Sequence, residues 1–551
     1  MHPRAPHRAP ALRRVVLTTL LGALVAASGC ALVLGFEDTK LRAEDGEGGT
    51  RPDTGLDGEV TLPDGGSSRL TSNPAAPVLR RGATADLLVE IVRGSDITGV
   101  VTATLSDLPV GVTATTAMIS PPATSATLKL TAAANATLGL QTVKLTAGGT
   151  TLPSVNVPLL VADPAGKLDI TFDSDGFLAD PSRGIGSTFF AVAVQPDQRI
   201  VAAGAGGNGG AQPPSGWIVR RYSAAGLPDT AFNTATAAGL PADGEIHAIA
   251  VDATGRIVCL GVSLTPAPAQ LTIVRLSTTG AIDKTFGAPT GVVRLPLEVP
   301  QTTTFGLGVA VQADGKVIAV GVRRDTLNNE TGIITRFNDN GLRDTMFNAG
   351  LTVAVPSTRF VGAAVDAAGV LVAGSTIGGP LPSYVITRRT TAGAVDPTFG
   401  ASGTASFGNT YRASGFARLA DGSMALVGDV QQGAQGYTAG LANPKGTSVF
   451  ARGYGNSPAA SFFGIAIQTD NRIIATGHTT VANGEARVER LLPDGNKDLS
   501  FSDGGTSIIE PALSANGVEV TLFGAAIQAD GRILASGNRT AAGAVVYRLW
   551  P

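Results

Sequence analysis

One feature, a repeat of about 55 residues, constrains this chain more than any other. The repeat begins with an apolar strand, a polar turn and a second apolar strand that ends in glycine. Three of the turns contain Asp-Gly, which is the short-range signal that best indicates a tight hairpin. The seven copies lie 49 to 60 residues apart and end at Gly204, Gly261, Gly321, Gly374, Gly428, Gly477 and Gly537. The sequence therefore predicts seven hairpins.

A second motif, Asp-x-x-Phe, recurs between the hairpins. Its copies are Asp169/Phe172, Asp229/Phe232, Asp283/Phe286, Asp344/Phe347, Asp396/Phe399 and Asp498/Phe501. One copy has decayed near residues 443–455, although the hairpins on either side remain. We interpret the phenylalanine as a wedge between neighbouring sheets and the aspartate as the cap of its turn. A ligand-binding aromatic residue is the alternative.

The repeats predict a closed ring of small sheets. Each repeat offers about four strands, and strands such as 465–467 and 473–475 are apolar at nearly every position. A sheet that is apolar on both faces needs a neighbour on each face, and radial stacking of blades provides both. Residues 165–551 are therefore predicted to form a seven-bladed β-propeller. An open β-solenoid and a series of sandwich domains are the alternatives.

Three segments of the repeats resemble a known family. They are Leu168–Phe172, Val309–Val317 and Arg275–Ser277, which together are similar to the delta-60 repeat family of bacterial β-propellers. The Trp-Asp dipeptide of WD repeats is absent, and the period is longer than the roughly 40 to 45 residues of that family. The resemblance implies the fold, and it implies no particular biochemical role.

The segment before the repeats has a different pattern. Residues 70–164 alternate apolar and polar positions over five or more short strands separated by turn residues, which indicates a β-sandwich. Leu108–Val112 and Gly139–Val143 resemble segments of the immunoglobulin-like modules of bacterial surface proteins. That resemblance implies a spacer, so the overall fold class is all-β, with a small immunoglobulin-like sandwich before the propeller.

The start of the chain reads as an export signal. Residues 1–29 combine four arginines, an apolar run from Val15 to Ala27 and small residues before Cys30. Ala27–Cys30 resembles a lipobox, which implies that Cys30 is lipidated and becomes the first residue of the mature protein. An ordinary secretory signal is the alternative. Residues 30–69 are acidic and glycine-rich, which predicts a disordered tether. The expected location is the cell envelope, anchored by lipid in the outer membrane.

Charge and cysteine content narrow the possible partners. The formal net charge is −2, and loss of the four signal arginines would take it to −6, so nucleic acid is an improbable partner. Only two cysteines occur, so a lipidated Cys30 leaves Cys259 without a disulfide partner. Cys259 lies in an apolar strand, which predicts that its thiol is buried. We expect the chain to be a monomer.

The sequence contains little recognisable chemistry. His247 and His478 have no Cys, Asp or Glu at metal-ligand spacing, and no Gly-x-Ser-x-Gly elbow is present, so no catalytic, cofactor or metal residue is predicted. The glycine-rich segment 204–210 lacks the Gly-Lys-Ser/Thr ending of a phosphate loop. The turns 173–176 and 338–341 could offer oxygen ligands to calcium, although Asx-turns explain them more simply.

Three functions remain open, and the third of them is a purely structural role in the envelope. The leading hypothesis is a non-enzymatic scaffold that presents the propeller to a protein or glycan partner. The alternative is a glycan-acting hydrolase or lyase, because such enzymes need only two suitably spaced carboxylates. Clustered, perturbed carboxylates in a central channel would favour the enzyme.

Overall fold

The computed structural model describes residues 60–61, 67–180, 186–207, 216–237, 239–377, 381–430, 436–454, 460–479, 485–502, 504–509, 519–540 and 542–551. The predicted signal segment 1–29, Cys30 and nearly all of the predicted tether lie outside the described residues, as do residues 208–210 of the glycine-rich segment. Within the described part of the chain, no helix has the length and apolar character needed to cross a membrane.

Ten strands precede the repeats. They are β1 (Val60–Thr61), β2 (Ser67–Asn73), β3 (Val78–Arg80), β4 (Thr84–Val92), β5 (Val101–Ser106), β6 (Val112–Ala114), β7 (Ala117–Ile119), β8 (Ser125–Ala132), β9 (Gly139–Gly148) and β10 (Val155–Ala162). They form two five-stranded sheets, in the orders β1-β2-β4-β8-β6 and β3-β10-β9-β5-β7. Among the described strands of these two sheets, only β3 and β10 pair in parallel.

These two sheets share one apolar core. Leu87, Val89 and Ile91 of β4 are buried, while their neighbours along the strand are more exposed. That alternation places one face of each sheet inward, as expected for antiparallel strands with one solvated face. The buried side chains of both sheets form a single cluster. The predicted alternation of residues 70–164 is thus present in the structure.

The repeats form seven small antiparallel sheets, which we number in chain order. Sheet 1 contains β12 (Thr188–Val194), β13 (Ile200–Ala205) and β14 (Trp217–Tyr222). Sheet 2 contains β15 (Glu245–Val251), β16 (Ile257–Ser263), β17 (Gln270–Leu276) and β18 (Val292–Arg294); sheet 3 contains β19 (Thr303–Val311), β20 (Val317–Arg324), β21 (Glu330–Phe337) and β22 (Val353–Pro356).

The other four sheets follow the same order. Sheet 4 contains β23 (Thr358–Asp366), β24 (Gly369–Thr376), β25 (Ser383–Arg389) and β26 (Thr404–Asn409), and sheet 5 contains β27 (Tyr411–Arg418), β28 (Met424–Val430), β29 (Tyr437–Ala442) and β30 (Ser448–Tyr454). Sheet 6 contains β31 (Ala460–Ile467), β32 (Ile473–Thr479), β33 (Ala486–Leu491) and β34 (Thr506–Ile509). Sheet 7 contains β35 (Val520–Ile527), β36 (Ile533–Arg539), β37 (Gly543–Leu549) and β11 (Phe177–Asp180).

Sheet 7 joins the two ends of the repeat region. Its outer strand β11 comes from before sheet 1, and Phe177 of β11 pairs with Tyr547 of β37. The first strands of neighbouring sheets contact one another in the order β12, β15, β19, β23, β27, β31 and β35, and β35 contacts β12 again. The seven sheets therefore close into a ring, and β11 is the strand that completes it.

Among the residues that the structure describes, sheet 1 has three strands instead of the predicted four. A short helix, α1 (Thr230–Ala237), follows β14 and packs against it. The Asp229 carboxylate accepts a hydrogen bond from the backbone N–H of Phe232, which caps this helix. The Asp-x-x-Phe motif starts a turn in other repeats and a helix here.

A β-bulge beside each repeat glycine explains why all seven hairpins end in glycine. In every sheet the register of the first two strands shifts by one residue, between Phe189 and Ala191 in sheet 1, for example. The glycine lies opposite that bulge, and a Cβ on Gly204 would overlap the backbone carbonyl oxygen of Thr188. The other six repeat glycines make the same close approach.

The residue after each bulge is also small. It is Ala191, Ala248, Gly308, Gly362, Gly415, Gly464 or Gly524. A Cβ on Gly308 would lie 2.6 Å from the Cα of Gly362 in the next sheet. Alanine and glycine therefore let adjacent first strands approach closely around the ring axis.

The Asp-x-x-Phe motif combines a buried ring and a capped turn, which the sequence predicted, with an ion pair to the preceding strand, which it did not. Phe501 is fully buried, as predicted for a wedge, and the Asp498 carboxylate accepts a hydrogen bond from the N–H of Ser500 at 3.1 Å. Asp498 also binds Arg490 from the preceding strand, and the Arg490 guanidinium lies 4.7 Å from the Phe501 ring centre. Similar Arg-Asp-Phe sets recur at Arg221, Arg275, Arg336, Arg388 and Arg548.

The decayed copy keeps the wedge and loses the ion pair. In sheet 5 the arginine position holds Leu441 and the turn contains no aspartate. Phe450 of β30 nevertheless supplies a buried ring, and a Cβ on Gly495 of the next repeat would lie 2.7 Å from that ring. Equivalent glycines contact the wedge phenylalanines of other repeats, as Gly226 contacts Phe172. The ring packing thus survives the loss of the motif.

The C-terminus contacts the N-terminal sheets. The Trp550 side chain is fully buried in a cluster with Leu160 and Ala162 of β10. Arg80 donates hydrogen bonds to the carbonyl oxygens of Asp163, at 2.7 Å, and Pro551. These contacts join the two-sheet core to the seven-sheet ring beside the closing strand β11.

Candidate functional site

The bulges bring seven buried residues toward the axis of the ring, and we call them the floor. They are Phe190, His247, Leu307, Val361, Ser414, Phe463 and Phe523. The Phe523 ring centre lies 5.1 Å from that of Phe190 and 5.5 Å from that of Phe463. Aromatic side chains from three consecutive sheets therefore pack together at the floor.

Two positions before each floor residue lies another ring, which we call the rim. Its members are Thr188, Glu245, Phe305, Arg359, Arg412, Ser461 and Thr521. Two residues of extended strand span about 7 Å, and side chains two apart share a face. The rim therefore lies near the start of the first strands, about 7 Å along each strand from the floor. All of its members except Phe305 are polar, and all floor residues except His247 and Ser414 are apolar.

One part of the rim carries free hydroxyl groups. Thr188, Ser461 and Thr521 lie on the same three sheets as the floor phenylalanines, and all three are partly exposed. Among the described residues none of their hydroxyls makes a hydrogen bond. These groups can bind a ligand without giving up an internal partner.

The opposite part of the rim is charged. The Glu330 carboxylate binds two guanidinium groups, with Arg359 Nε at 2.9 Å and Arg324 Nε at 2.8 Å. The exposed fractions of these side chains are only 9% for Arg359, 9% for Glu330 and 14% for Arg324. Burial opposes ionisation of Glu330, but the hydrogen bonds and charges of Arg359 and Arg324 prevail and hold its pKa below its usual value. The cluster therefore has one uncompensated positive charge.

Two other rim residues are already paired. Arg412 binds both oxygens of the Asp429 carboxylate, at 3.2 and 2.9 Å, which is a two-point ion pair. Glu245 lies 2.9 Å from Nε2 of His247, whose Nδ1 is 2.8 Å from the carbonyl oxygen of Gly306. The carboxylates of Glu245, Glu330 and Asp429 thus each have a partner, and none of these contacts supports the hydrolase or lyase alternative.

His478 lies beside the floor. Its ring stacks on Phe463 with centres 5.2 Å apart, and β31 places Ser461 opposite it. Its Nδ1 atom is buried and has no hydrogen-bond partner. Burial lowers the pKa of His478 to about 4, so the imidazole is neutral at pH 7.

The structure places the residues that the sequence singled out. His247 is buried at the floor, where its ring lies near Phe190, and His478 lies near Phe523 of the floor. Nothing in the sequence pattern groups the two histidines. Cys259 is fully buried, as expected for a thiol in an apolar strand. The described residues contain no group of three His, Cys, Asp or Glu side chains that could hold a metal ion.

The two turns considered for calcium have other partners. The Asp339 carboxylate binds Arg275 at 2.5 Å and Arg256 at 3.1 Å, and Asn340 accepts the N–H of Leu342 in an Asx-turn. Asp175 accepts the N–H of Phe177 in the same way. Burial and the neighbouring Asp175 raise the pKa of Asp173. The hydrogen bonds accepted by Asn340 and Asp175 are the Asx-turns that the sequence favoured.

The rim and floor could not be recognised from sequence. Neither position keeps one residue type through all the repeats, so a search for a motif at fixed spacing passes over them. The available signal was positional, since each lies at a fixed offset before the repeat glycine, but that offset becomes informative only once the bulge is known.

Comparison with known proteins identifies the repeats. A family model described as "Domain of unknown function (DUF5122) beta-propeller" matches residues 312–347 and 468–501. No curated protein matches the chain. A mutant of the Synechocystis apocarotenoid oxygenase is 9% identical, with 78% of this chain and 94% of that chain covered and a TM-score of 0.35.

A second solved structure, Salmonella alpha-2-macroglobulin reacted with methylamine, is 11% identical, with a TM-score of 0.17. It covers 86% of this chain, which spans only 32% of that protein. Scores this low carry no argument about function. What the comparisons and the structure do establish is that this chain is an all-β protein built from β-propeller repeats.

Proposed function

We propose that this protein is a cell-envelope lipoprotein, anchored through Cys30, that uses a seven-bladed β-propeller as a non-enzymatic binding scaffold. In this proposal each of the seven sheets is one blade. The tether and an immunoglobulin-like sandwich hold the propeller away from the outer membrane. The partner, a protein or a glycan, binds at the rim.

One observation carries the binding role. Three partly exposed hydroxyls, on Thr188, Ser461 and Thr521, have no hydrogen bond to any described residue, and they stand above a floor of packed phenylalanines. Because these hydroxyls are partly exposed and keep no internal hydrogen bond among the described residues, they are open to a partner that reaches the rim, and a few polar groups beside apolar side chains are typical of ligand sites.

Capture from envelope extracts tests the binding role. The full chain is immobilised, and the retained proteins and glycans are compared with those retained by Ser461→Trp, which places a bulky ring in the rim. Leu499→Trp is the matched control, because Leu499 is 74% exposed in a turn at the opposite end of the strands. We expect Ser461→Trp to lose the partner and Leu499→Trp to keep it. Equal retention by both variants would rule out the rim as the binding surface.

Metabolic labelling with a fatty-acid probe tests the anchor. We expect the wild-type chain to be labelled and Cys30→Ser to remain unlabelled. Two or three acyl chains would make the attachment effectively permanent, since a single chain gives only reversible binding. Equal labelling of both chains would show that Cys30 is not the lipidation site.

A further inference from the structure

We infer that the rim binds an acidic side chain of a protein partner, whose carboxylate is held by Arg324 and Arg359. This inference rests on the proposed binding function and assigns that function a partner chemistry. It uses only the charged part of the rim, where β20 and β21 of sheet 3 contact β23 of sheet 4.

The cluster at this contact contains more positive than negative charge. Arg324 and Arg359 share the single carboxylate of Glu330, and no other carboxylate of a described residue forms an ion pair with either guanidinium. The three side chains are at most 14% exposed. Charges held this far from solvent are normally matched by an opposite charge, so the excess positive charge favours a counter-ion from outside.

This excess sets the cluster apart from the rest of the ring. Among the described residues of the ring, every other ion-pair cluster has at least as many carboxylates as basic groups. Where Arg532 and Arg548 meet, for example, the carboxylates of both Asp169 and Asp530 are present. The imbalance at the rim is therefore specific to one place and is not a general property of the repeats.

Both arginines keep hydrogen-bond donors that the cluster does not use. Glu330 accepts hydrogen bonds from Nε and Nη2 of each guanidinium. The Nη1 atoms of Arg324 and Arg359 bond no described residue, and both reach solvent. Asp325 follows Arg324 in sequence, but its carboxylate accepts the N–H of Asn329 at 2.9 Å within its own turn. A carboxylate that arrives at the rim can therefore accept charge-assisted hydrogen bonds, which are stronger than neutral ones.

The surroundings favour an Asp or Glu side chain over an acidic sugar. Phe305 is partly exposed, and its ring centre lies 5.4 Å from the Arg324 guanidinium. The short apolar stem of an acidic side chain needs only an apolar contact, which this ring offers. A sugar would also need partners for its hydroxyls, whereas Arg412 and Glu245, the rim residues of the two adjoining sheets, already have partners inside the protein.

Two matched peptides test the inference with the full chain. The probes are hexaglutamate and hexaglutamine with blocked termini, and binding is measured by titration calorimetry at low ionic strength. We expect hexaglutamate to bind at least about tenfold more tightly, and we expect Arg324→Gln and Arg359→Gln each to remove that preference. Each variant leaves the other arginine paired with Glu330, so neither leaves a buried carboxylate alone. Arg199→Gln, at an exposed turn on the opposite end, is the control and should keep the preference.

The outcomes separate the inference from the proposed function. Equal affinity for the two peptides, or a preference that persists in both arginine variants, would overturn the inference. In the capture experiment, a protein partner retained by Arg359→Gln but lost by Ser461→Trp would overturn it and leave the proposed scaffold function intact, as would a partner that protease treatment shows to be a glycan. Retention of every partner by both variants would overturn the inference and the binding role of the rim together.

Discussion

Gly204 lies directly against the carbonyl oxygen of Thr188, and this contact between the second and first strands of sheet 1 has an equivalent in every other sheet of the ring. The contact follows from a bulge in the first strand, where one extra residue bends the backbone toward its neighbour. A single backbone feature, repeated seven times, thus fixes the glycine spacing and turns the floor residues toward the axis.

Replacement of a repeat glycine should be costly because of this overlap. We expect Gly374→Ala to lower the free energy of unfolding by about 3 kcal/mol, since the Arg359 carbonyl or the strand must move. Gly99→Ala, where a Cβ would meet no atom within 4 Å, should change it by less than about 0.5 kcal/mol. Urea unfolding measures both. A similar loss in the two variants would show that the cost does not come from the bulge.

Loss of the Asp169 carboxylate should lower the free energy of unfolding more than loss of an exposed carboxylate that binds the same arginine. Asp169 is fully buried between Arg532 and Arg548, both with Nε at 2.8 Å. Asp169→Ala leaves two poorly solvated guanidinium groups without that partner, so we expect a loss of about 3–5 kcal/mol. Asp530, which also binds Arg532, is 40% exposed, so Asp530→Ala should cost at most about 1 kcal/mol. Thermal and urea unfolding would show whether the two effects differ in this direction.

The contact of Trp550 with the two-sheet core should hold the two parts of the protein together. Trp550→Ala removes a large ring that packs against Leu160 and Ala162, and we expect the free energy of unfolding to fall by about 3–5 kcal/mol. Limited proteolysis should then cut the chain near residues 163–166 faster than in the wild type. Leu140→Ala is the control, because Leu140 lies on β9 of the same two sheets but its side chain is 65% exposed. Unchanged cleavage in Trp550→Ala would mean that other contacts secure this junction.

His478 should make stability depend on pH. Its pKa falls from about 6.5 in the unfolded chain to about 4 in the folded one, so the unfolded state binds more protons between these values. The free energy of unfolding should therefore decrease as the pH falls through this window, and at pH 5 the His478 contribution should be about 2 kcal/mol lower than at pH 7.5. His478→Phe retains the stack on Phe463 and should lose this part of the dependence. Urea unfolding of both proteins at pH 5 and pH 7.5 provides the measurement, and identical pH profiles would contradict the assignment.

The repeated positions could be predicted from sequence because they obey one constraint in every repeat. The seven hairpins and the buried Phe172 or Phe501 follow from spacing, because a bulge or a wedge demands the same residue each time. Helix α1 was missed, since its Asp229 and Phe232 match the turn motif of the other repeats. The role of Phe450 was also missed, because the ring arrives from a strand instead of a turn.

The rim and floor could not be predicted from sequence, because no one constraint applies to their positions in every repeat. Their residues come from seven distant segments, and no single residue type recurs at the same position in every repeat, as Glu245 and Phe305 illustrate. Only closure of the ring brings Phe190 of sheet 1 against Phe523 of sheet 7. The Arg490–Asp498 pair was within reach, because both residues lie in one repeat, but the polar turn alone explained the aspartate.

The contact between most turn glycines and the wedge of the preceding repeat ties neighbouring repeats together. Gly226 rests on Phe172, Gly393 on Phe347, and Gly166 on Phe501 across the junction of the two ends. A duplication or deletion that keeps the ring intact must therefore carry one glycine and one wedge together. The repeat, and not the single strand, is therefore the unit in which this packing is preserved.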